Sequence, residues 1–370
     1  MKNILKKNRS ILKMYIRVKH GLKFFLNLLR LFFSSTKYSK KHILGIYDLK
    51  TLPWSAGDPL LFIEKLNTLK IIHNADMIDV CIIYDKENPT GIRKDSKIKM
   101  NNAQDYMMDF LPLFNTCPYL GSVFQFNSRK EFNDFLKNNI HKYDIFPSLR
   151  QYLDESYNFV GQGIVILKEL ENFYKKYGYI PYLRIGERYR YWANSFYLHY
   201  LPRNTVPIVL SLRQPLSTVK SVRNADPKVW LAFIDKCKVV YDDIVFVVVG
   251  TREEIFQGLR ERSNVIIARD YGTSIIENLA LIKSSYCYLG TASGPTTIAL
   301  FSDLPYLIFQ MPEIEKYGLG EGNSFSFSTD RQKIFSSDIS ATVELIFSEF
   351  KELISRLDKN KWKETNKILA

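Results

Sequence analysis

The segment YCYLGTASGPTTIALFSDLPYLIF, residues 286–309, predicts a buried strand, a turn of small residues, a helix and a second strand. The turn has almost no side-chain bulk at Gly290, Ala292 and Gly294, so its backbone is able to approach a ligand closely. Pro295 suits the first helical turn, where its missing N–H costs nothing. We call residues 290–297 the cradle loop, and three of its hydroxyls add hydrogen-bond donors: Ser293, Thr296 and Thr297.

The start of the predicted helix leaves backbone amides without intrahelical partners, and its positive dipole end attracts anions. The cradle loop is therefore predicted to bind a diphosphate through the backbone amides of Ser293, Gly294 and Thr296. The same residues also fit an ordinary strand-to-helix turn that Ser293 caps. The regular order of the surrounding segments favours the first interpretation.

The second half of the chain alternates strands and helices. Apolar runs predict strands in VPIVLSLR, DIVFVVVG, NVIIARD and SYCYLGT. Between them, amphipathic segments predict helices in PKVWLAFIDKCKVVY, TREEIFQGLRER and TSIIENLALIKS. Strict alternation of this kind gives a parallel, doubly wound sheet.

The first half begins with a βαβ unit, in which HILGIYDL and MIDVCIIYD are strands and LLFIEKLNTLKIIH is the helix between them. SVFQFN and DIFPSL are further candidate strands, and LRIGERYRYWANSFYLHYLP predicts a helix that leads to an interdomain connection. A chain of 370 residues is expected to form two domains. We predict an α/β protein with two Rossmann-like domains, 43–203 and 204–335, an N-terminal arm, 1–42, and C-terminal helices in 336–370.

Most of the net charge of +14 comes from the arm. Residues 1–42 hold twelve Lys or Arg side chains and no acidic one, whereas the other 328 residues hold 40 basic and 38 acidic ones. Within the arm, GLKFFLNLLRLFFSS predicts a basic amphipathic helix that is too short to span a bilayer. We expect this helix to lie on an anionic membrane surface, with packing on the protein's own body as the alternative. The near-neutral body argues against nucleic-acid binding.

Cysteines and histidines give no sign of a disulfide framework or a metal site. The four cysteines are far apart, at 81, 117, 237 and 287, and the five histidines form no HxxxH or HExxH motif. A structural zinc site is therefore not expected.

Two segments resemble GT-B glycosyltransferases of the heptosyltransferase type and their relatives in bacterial surface-polysaccharide and lipopolysaccharide assembly. They are GDPLLFIEKLNTLKIIHNADMIDVCIIYD (57–85) and ENLALIKSSYCYLGTASGPTTIALFSDLPYLIF (277–309). The resemblance implies two Rossmann-like domains with the active site between them. It also implies a nucleotide-sugar donor, and a glycan or lipid-linked molecule as the acceptor.

The cradle loop departs from this family at two positions. The family has an Asp-Thr-Gly-x-x-His segment, whereas this chain has Ala292 and Thr297 in place of the Asp and the His. A relative of the GT-B fucosyltransferases is the alternative, suggested by LSLRQ and SVRNADP, where Arg213 or Arg223 would bind a nucleotide diphosphate.

The predicted reaction needs charge stabilisation on the leaving diphosphate and a base for the acceptor's proton. No Asp-x-Asp occurs in the sequence, so we expect a metal-independent enzyme in which Arg213 assists the cradle loop and Arg223 is the weaker candidate. Asp58 matches the family's catalytic Asp and is the candidate base, which implies inversion at the anomeric carbon. Asp58 followed by Pro59 also fits the start of a helix. Arg213 also fits a surface loop.

Gly250 and Thr251 follow the strand DIVFVVVG at its carboxyl end, where open α/β sheets bind ligands. Glu253 or Glu254 just beyond would either bond a ribose or serve as acids in a helix's first turn, and the structural explanation is favoured. We expect a cytoplasmic enzyme, peripheral on the inner face of the cell membrane, that needs no cofactor besides its nucleotide-sugar substrate. A nucleotide-binding α/β protein without transferase activity is the rival prediction.

Overall fold

The computed structural model describes residues 41–49, 51–52, 55–84, 103–153, 163–214, 221–312 and 324–365. The predicted membrane-binding helix of the arm lies outside the described residues. Over the part of the chain described here, no helix is both long and apolar enough to cross a membrane.

The first sheet is parallel and has the strand order β3-β2-β1-β4. Its strands are β1 (His42–Asp48), β2 (Ile78–Ile83), β3 (Leu120–Phe126) and β4 (Tyr143–Phe146). The chain between β1 and β2 forms α1 (Gly57–Ile72). The predicted βαβ unit and both further strands of the first half are therefore confirmed.

The remaining helices of the first half cover the two faces of this sheet, apart from the last of them, which packs on a helix of the second sheet. They are α2 (Ala103–Phe110), α3 (Arg129–Asn139), α4 (Leu149–Tyr152), α5 (Gly163–Tyr177) and α6 (Glu187–Tyr200), with a 3-10 turn at Leu111–Thr116. One face packs Tyr47 against Phe62 of α1. The opposite face packs Ile46 and Ile83 against Phe132 of α3. This alternation follows from the two-residue period of a strand.

The second sheet is also parallel and has the order β10-β9-β8-β5-β6-β7. Its strands are β5 (Val206–Ser211), β6 (Ile244–Val249), β7 (Val265–Ile267), β8 (Cys287–Thr291), β9 (Tyr306–Met311) and β10 (Gln332–Ser336). Its helices are α7 (Pro227–Val240), α8 (Ile275–Ser284) and α9 (Thr296–Leu300), followed by the tail helices α10 (Val343–Ser355) and α11 (Lys359–Thr365). The sequence predicted five of these strands and the tail helices, but not β10.

The predicted helix over TREEIFQGLRER is wrong. Two 3-10 turns, Arg252–Glu254 and Gln257–Leu259, occupy this stretch. Between them Ile255 has an extended backbone, with φ −87° and ψ 112°. Separate turns bury Ile255 and Leu259 without a continuous helix, so their helix-like spacing was misleading.

The two sheets are joined by packing between their helices. Tyr197 of α6 donates its hydroxyl proton to the Leu281 carbonyl of α8 at 2.6 Å. Leu183 N–H donates to the Phe301 carbonyl at 3.1 Å, and Ser326 N–H donates to the Glu171 carboxylate of α5 at 2.8 Å. These bonds tie the first half of the chain to the second.

Candidate active site

The carboxyl ends of β5, β6 and β8 lie side by side in the second sheet. Ser211 of β5 pairs with Val249 of β6 on one side and with Gly290 of β8 on the other. Ligands of open parallel sheets bind at this edge. The cradle loop, Gly250 and Arg213 all follow these strands, so the fold brings the predicted donor residues to one edge.

The Thr296 hydroxyl is the centre of hydrogen bonding inside the cradle loop. It donates to the Thr291 carbonyl at 3.2 Å and accepts from the Ser293 N–H at 3.2 Å. Its Oγ1 also lies 2.9 Å from the Tyr288 hydroxyl and 3.1 Å from Ser293 Oγ. Thr296 is 2% exposed, so its hydroxyl builds the loop rather than lining the loop's surface.

Two of the three amides that we predicted to bind a diphosphate have partners inside the loop. Ser293 N–H donates to Thr296 Oγ1, and Thr296 N–H donates to the Ser293 carbonyl at 3.2 Å. Gly294 N–H has no hydrogen-bond partner among the described residues. Pro295 is the N-cap residue of helix α9 rather than part of its first turn, and Thr297 is buried in that turn. The Gly294 amide is therefore the one most readily offered to a ligand.

Gly290 serves a different purpose from the predicted approach to a ligand. A Cβ atom at Gly290 would lie 2.4 Å from the Ser211 carbonyl oxygen and 2.8 Å from the Tyr288 hydroxyl. Contacts this short are not tolerated, so glycine is required for the Tyr288 side chain to reach the strand's edge. There the Tyr288 hydroxyl contacts Thr296 beneath the loop.

Arg213 is fixed at the same edge by its backbone. Its N–H donates to Thr291 Oγ1 at 3.0 Å, and its carbonyl accepts from the Ala225 N–H at 2.9 Å. Arg223 lies on the returning segment, where its N–H donates to Ser221 Oγ at 3.3 Å. Both arginines therefore belong to the loop that follows β5, and the Arg213 backbone is tied directly to β8.

Gly250 and Thr251 form a tight turn that Glu254 closes. Gly250 has a φ of 145°, which favours glycine, and a Cβ there would lie 3.1 Å from Glu254 Oε2. The same oxygen accepts from the Thr251 N–H at 3.0 Å. Burial raises the pKa of the Glu254 carboxyl above its ordinary value, while its bonds with Thr251 and the charge of Arg213 oppose the shift. A carboxylate and an arginine thus face the same edge.

Asp58 lies in the first turn of α1 and is half-buried. Its N–H donates to Ser55 Oγ at 3.2 Å, and the Ser55 hydroxyl in turn donates to the Asp58 carboxylate. Ser55 therefore accepts a hydrogen bond from a first-turn amide, although Ala56 is the N-cap residue, and its hydroxyl orients the candidate base. Ser55 was not predicted from the sequence, although Ser-x-x-Asp before an apolar run is a capping pattern.

The start of α1 rests directly on the cradle loop. A Cβ atom on Gly57 would lie 3.1 Å from Gly294 Cα and 3.3 Å from Thr297 Oγ1. A Cβ atom on Gly294 would lie 3.0 Å from Gly57 N and 3.2 Å from Ala56 Cβ. The turn that carries Asp58 and the loop predicted to bind the donor are therefore in contact, although they come from different halves of the chain.

Sequence reasoning also missed two residues of this site, Ser211 and Tyr288. Each looked like an ordinary member of a buried strand, and the available signal was a hydroxyl at or near the carboxyl end of that strand.

Within the described ranges, no group of three or more His, Cys, Asp or Glu side chains is placed to hold a metal ion.

The amino-acid sequence matches no protein-family model, and no curated protein matches it. Solved structures do resemble the fold. The ADP-heptose lipopolysaccharide heptosyltransferase II of E. coli aligns with 85% of this chain and 99% of its own length, at a TM-score of 0.53 and 12% identity. A family 9 glycosyl transferase from Veillonella parvula aligns over 88% of this chain and 92% of its own, at a TM-score of 0.47 and 13% identity.

The fucosyltransferase NodZ from Bradyrhizobium covers 74% of this chain and 96% of its own, at a TM-score of 0.37 and 9% identity. Of these three structures, the heptosyltransferase has a TM-score above 0.5, and its alignment spans nearly all of that enzyme and most of this chain. The fold is therefore assigned from this alignment. The chain therefore has the GT-B fold of two parallel α/β sheets that is found in heptosyltransferase II.

Proposed function

We propose that this protein is a glycosyltransferase that moves a sugar from a nucleotide-sugar donor to a glycan or lipid-linked acceptor. The observation that carries the proposal is the contact between the Asp58 turn and the cradle loop through Gly57 and Gly294. A candidate base and a candidate diphosphate site meet there between the two sheets. A transferase needs both at the point where acceptor and donor come together.

The reaction is a single displacement. Asp58 takes the proton of the acceptor hydroxyl, and the acceptor oxygen forms a bond to the anomeric carbon of the donor sugar. The bond from that carbon to the diphosphate oxygen breaks, and the diphosphate leaves with the electron pair. Attack from the side opposite the leaving group inverts the anomeric carbon.

The leaving diphosphate takes its stabilisation from the carboxyl edge of the second sheet. Arg213 supplies positive charge, and Gly294 N–H supplies a hydrogen bond. Gly250 and Thr251 border the same edge, where Glu254 closes their turn. No step of this reaction calls for a metal ion, because the protein's own donors perform the charge stabilisation.

The acceptor is proposed to be a precursor of a cell-surface polysaccharide or lipopolysaccharide, held at the inner face of the cell membrane. The twelve basic side chains of residues 1–42, with no acidic one, support peripheral binding to anionic lipid. Deletion of residues 2–41 should then abolish binding to anionic vesicles. Retained binding would contradict the peripheral placement without touching the proposed chemistry.

The experiment that tests the function is a thermal-shift panel of UDP, GDP, CMP, ADP and dTDP, with and without magnesium. One nucleotide should raise the melting temperature by roughly 4 °C at a hundredfold excess over its Kd, independently of metal. Arg213→Ala should lose most of that shift. The stabilising nucleotide then selects the nucleotide sugars for an assay of transfer.

Absence of a shift with every nucleotide would overturn the proposal. A shift without transfer or hydrolysis of the matching nucleotide sugars would instead leave a nucleotide-binding protein of the same fold.

A further inference from the structure

Four hydroxyl groups form a connected chain under the cradle loop. Ser211 Oγ lies 3.1 Å from Ser293 Oγ, which lies 3.1 Å from Thr296 Oγ1. Thr296 Oγ1 in turn lies 2.9 Å from the Tyr288 hydroxyl. We call Ser211, Ser293, Thr296 and Tyr288 the hydroxyl chain.

The hydroxyl chain reaches the surface at one of its members. Ser211, Tyr288 and Thr296 are 4%, 0% and 2% exposed, whereas Ser293 is half-buried. Ser293 also precedes Gly294, which contacts the start of α1. A ligand between the two sheets therefore meets the hydroxyl chain at Ser293.

The hydrogen-bond partners of Thr296 determine which hydroxyl groups of the chain donate and which accept. Its single proton goes to the Thr291 carbonyl, which is able only to accept. Its lone pairs then accept from the Ser293 N–H and from the Tyr288 hydroxyl. These three bonds use the one proton and both lone pairs of the Thr296 hydroxyl. Thr296 therefore does not accept the Ser293 hydroxyl proton.

The Ser293 hydroxyl is thereby prepared as a donor. Ser211 lies within reach to donate its own proton to Ser293 Oγ, at 3.1 Å. A hydroxyl that accepts one hydrogen bond donates a stronger one. The Ser293 proton is then available to an acceptor outside the loop.

We propose that Tyr288 and Ser211 are positioning residues that direct the Ser293 hydroxyl proton toward a diphosphate oxygen of the donor. This inference rests on the proposed function. It gives the cradle loop a neutral hydrogen-bond donor to the leaving group. Without the Tyr288 hydroxyl, the freed lone pair of Thr296 takes the Ser293 proton at 3.1 Å and withdraws it from the ligand.

The test measures the Kd of the nucleoside diphosphate that the panel selects, by titration calorimetry on the full chain. Tyr288→Phe should weaken binding about tenfold, since a hydrogen bond to a charged oxygen is lost. Ser211→Ala should weaken it in the same direction. Tyr306→Phe is the matched control, because it removes an equally buried hydroxyl on the neighbouring strand, bonded to Ser328 Oγ at 3.3 Å.

A double-mutant cycle separates positioning from a structural role. Ser293→Ala alone should weaken binding about tenfold, and adding Tyr288→Phe to it should cost nothing more, because Tyr288 acts through Ser293. Additive losses, or equal losses in Tyr288→Phe and Tyr306→Phe, would overturn the inference. If Tyr288→Phe does not fold, the same cycle with Ser211→Ala decides.

Failure of the proposed function is a separate outcome. If the unaltered protein binds no nucleoside diphosphate, both the proposed function and this inference are wrong. If the unaltered protein binds and the variants bind equally well, the inference alone is wrong.

Discussion

Gly57 and Gly294 meet backbone to backbone, with a Cβ on Gly57 placed 3.1 Å from Gly294 Cα and a Cβ on Gly294 placed 3.0 Å from Gly57 N. Both distances are shorter than ordinary van der Waals contact. Glycine on each side permits this approach, and a methyl group on either one would displace the other backbone by a few tenths of an ångström. It fixes the distance between the turn that carries Asp58 and the loop that carries Ser293.

Gly294→Ala should lower kcat/KM for sugar transfer by about tenfold or more, measured as release of nucleoside diphosphate from the nucleotide sugar. The added methyl group pushes the Gly57 backbone away by a few tenths of an ångström, and misplacement of reacting groups is costly. Gly186→Ala is the control, because a Cβ there meets nothing within 4 Å. An unchanged rate in Gly294→Ala would show that the contact does not set the reactive geometry.

Asp58→Asn should lower kcat by about 10²- to 10⁴-fold, the usual contribution of a general base, while the Kd of the nucleotide stays the same. Asparagine preserves the shape of the side chain and still accepts from the Ser55 hydroxyl. Asp134→Asn on the exposed side of α3 provides a surface carboxylate for comparison. If nucleotide affinity and melting temperature both fell while kcat was retained, Asp58 would serve only to stabilise the start of α1.

Much of the fold can be predicted from the sequence, because parallel strands that are buried on both faces have continuous apolar sequences. β5 and β6 are buried along their whole length, and both were predicted. β10 escaped prediction because it is an edge strand with a charged residue: Lys333 pairs with Glu349 and Glu352 of α10. These partners lie well beyond the strand in sequence, so its local pattern did not reveal it.

The candidate site was predictable in its parts but not in its assembly. The small residues of the cradle loop and the Gly57-Asp58 pair stand out in the sequence. Their contact does not, since it depends on how two sheets pack. The role of Tyr288 was hidden for a similar reason: its hydroxyl reaches Thr296 only because Gly290 leaves room for it.

Glu64 of α1 is a buried carboxyl that the proposed reaction does not use. It is 0% exposed, and Asn67 Nδ2 donates to its Oε2 at 3.2 Å. Its Oε1 is buried without a hydrogen-bond partner in the described part of the chain. Burial raises the pKa of Glu64 well above its ordinary value, and the bond from Asn67 opposes the shift without cancelling it. The folded protein therefore holds this carboxyl protonated at pH values where the unfolded chain has lost the proton.

Glu64→Gln should reveal this proton in the free energy of unfolding, measured by urea titration between about pH 5 and pH 8. Above the ordinary glutamate pKa of about 4.3 the unfolded chain binds fewer protons than the folded one, so stability falls as pH rises toward the folded pKa. The variant has no proton to lose at this site. Its stability relative to the unaltered protein should therefore increase with pH, by up to about 1.4 kcal/mol per pH unit. Asp134→Asn should show no such gain in stability. If the free energies of unfolding of Glu64→Gln and the unaltered protein changed in parallel with pH, Glu64 would be ionised in the folded protein.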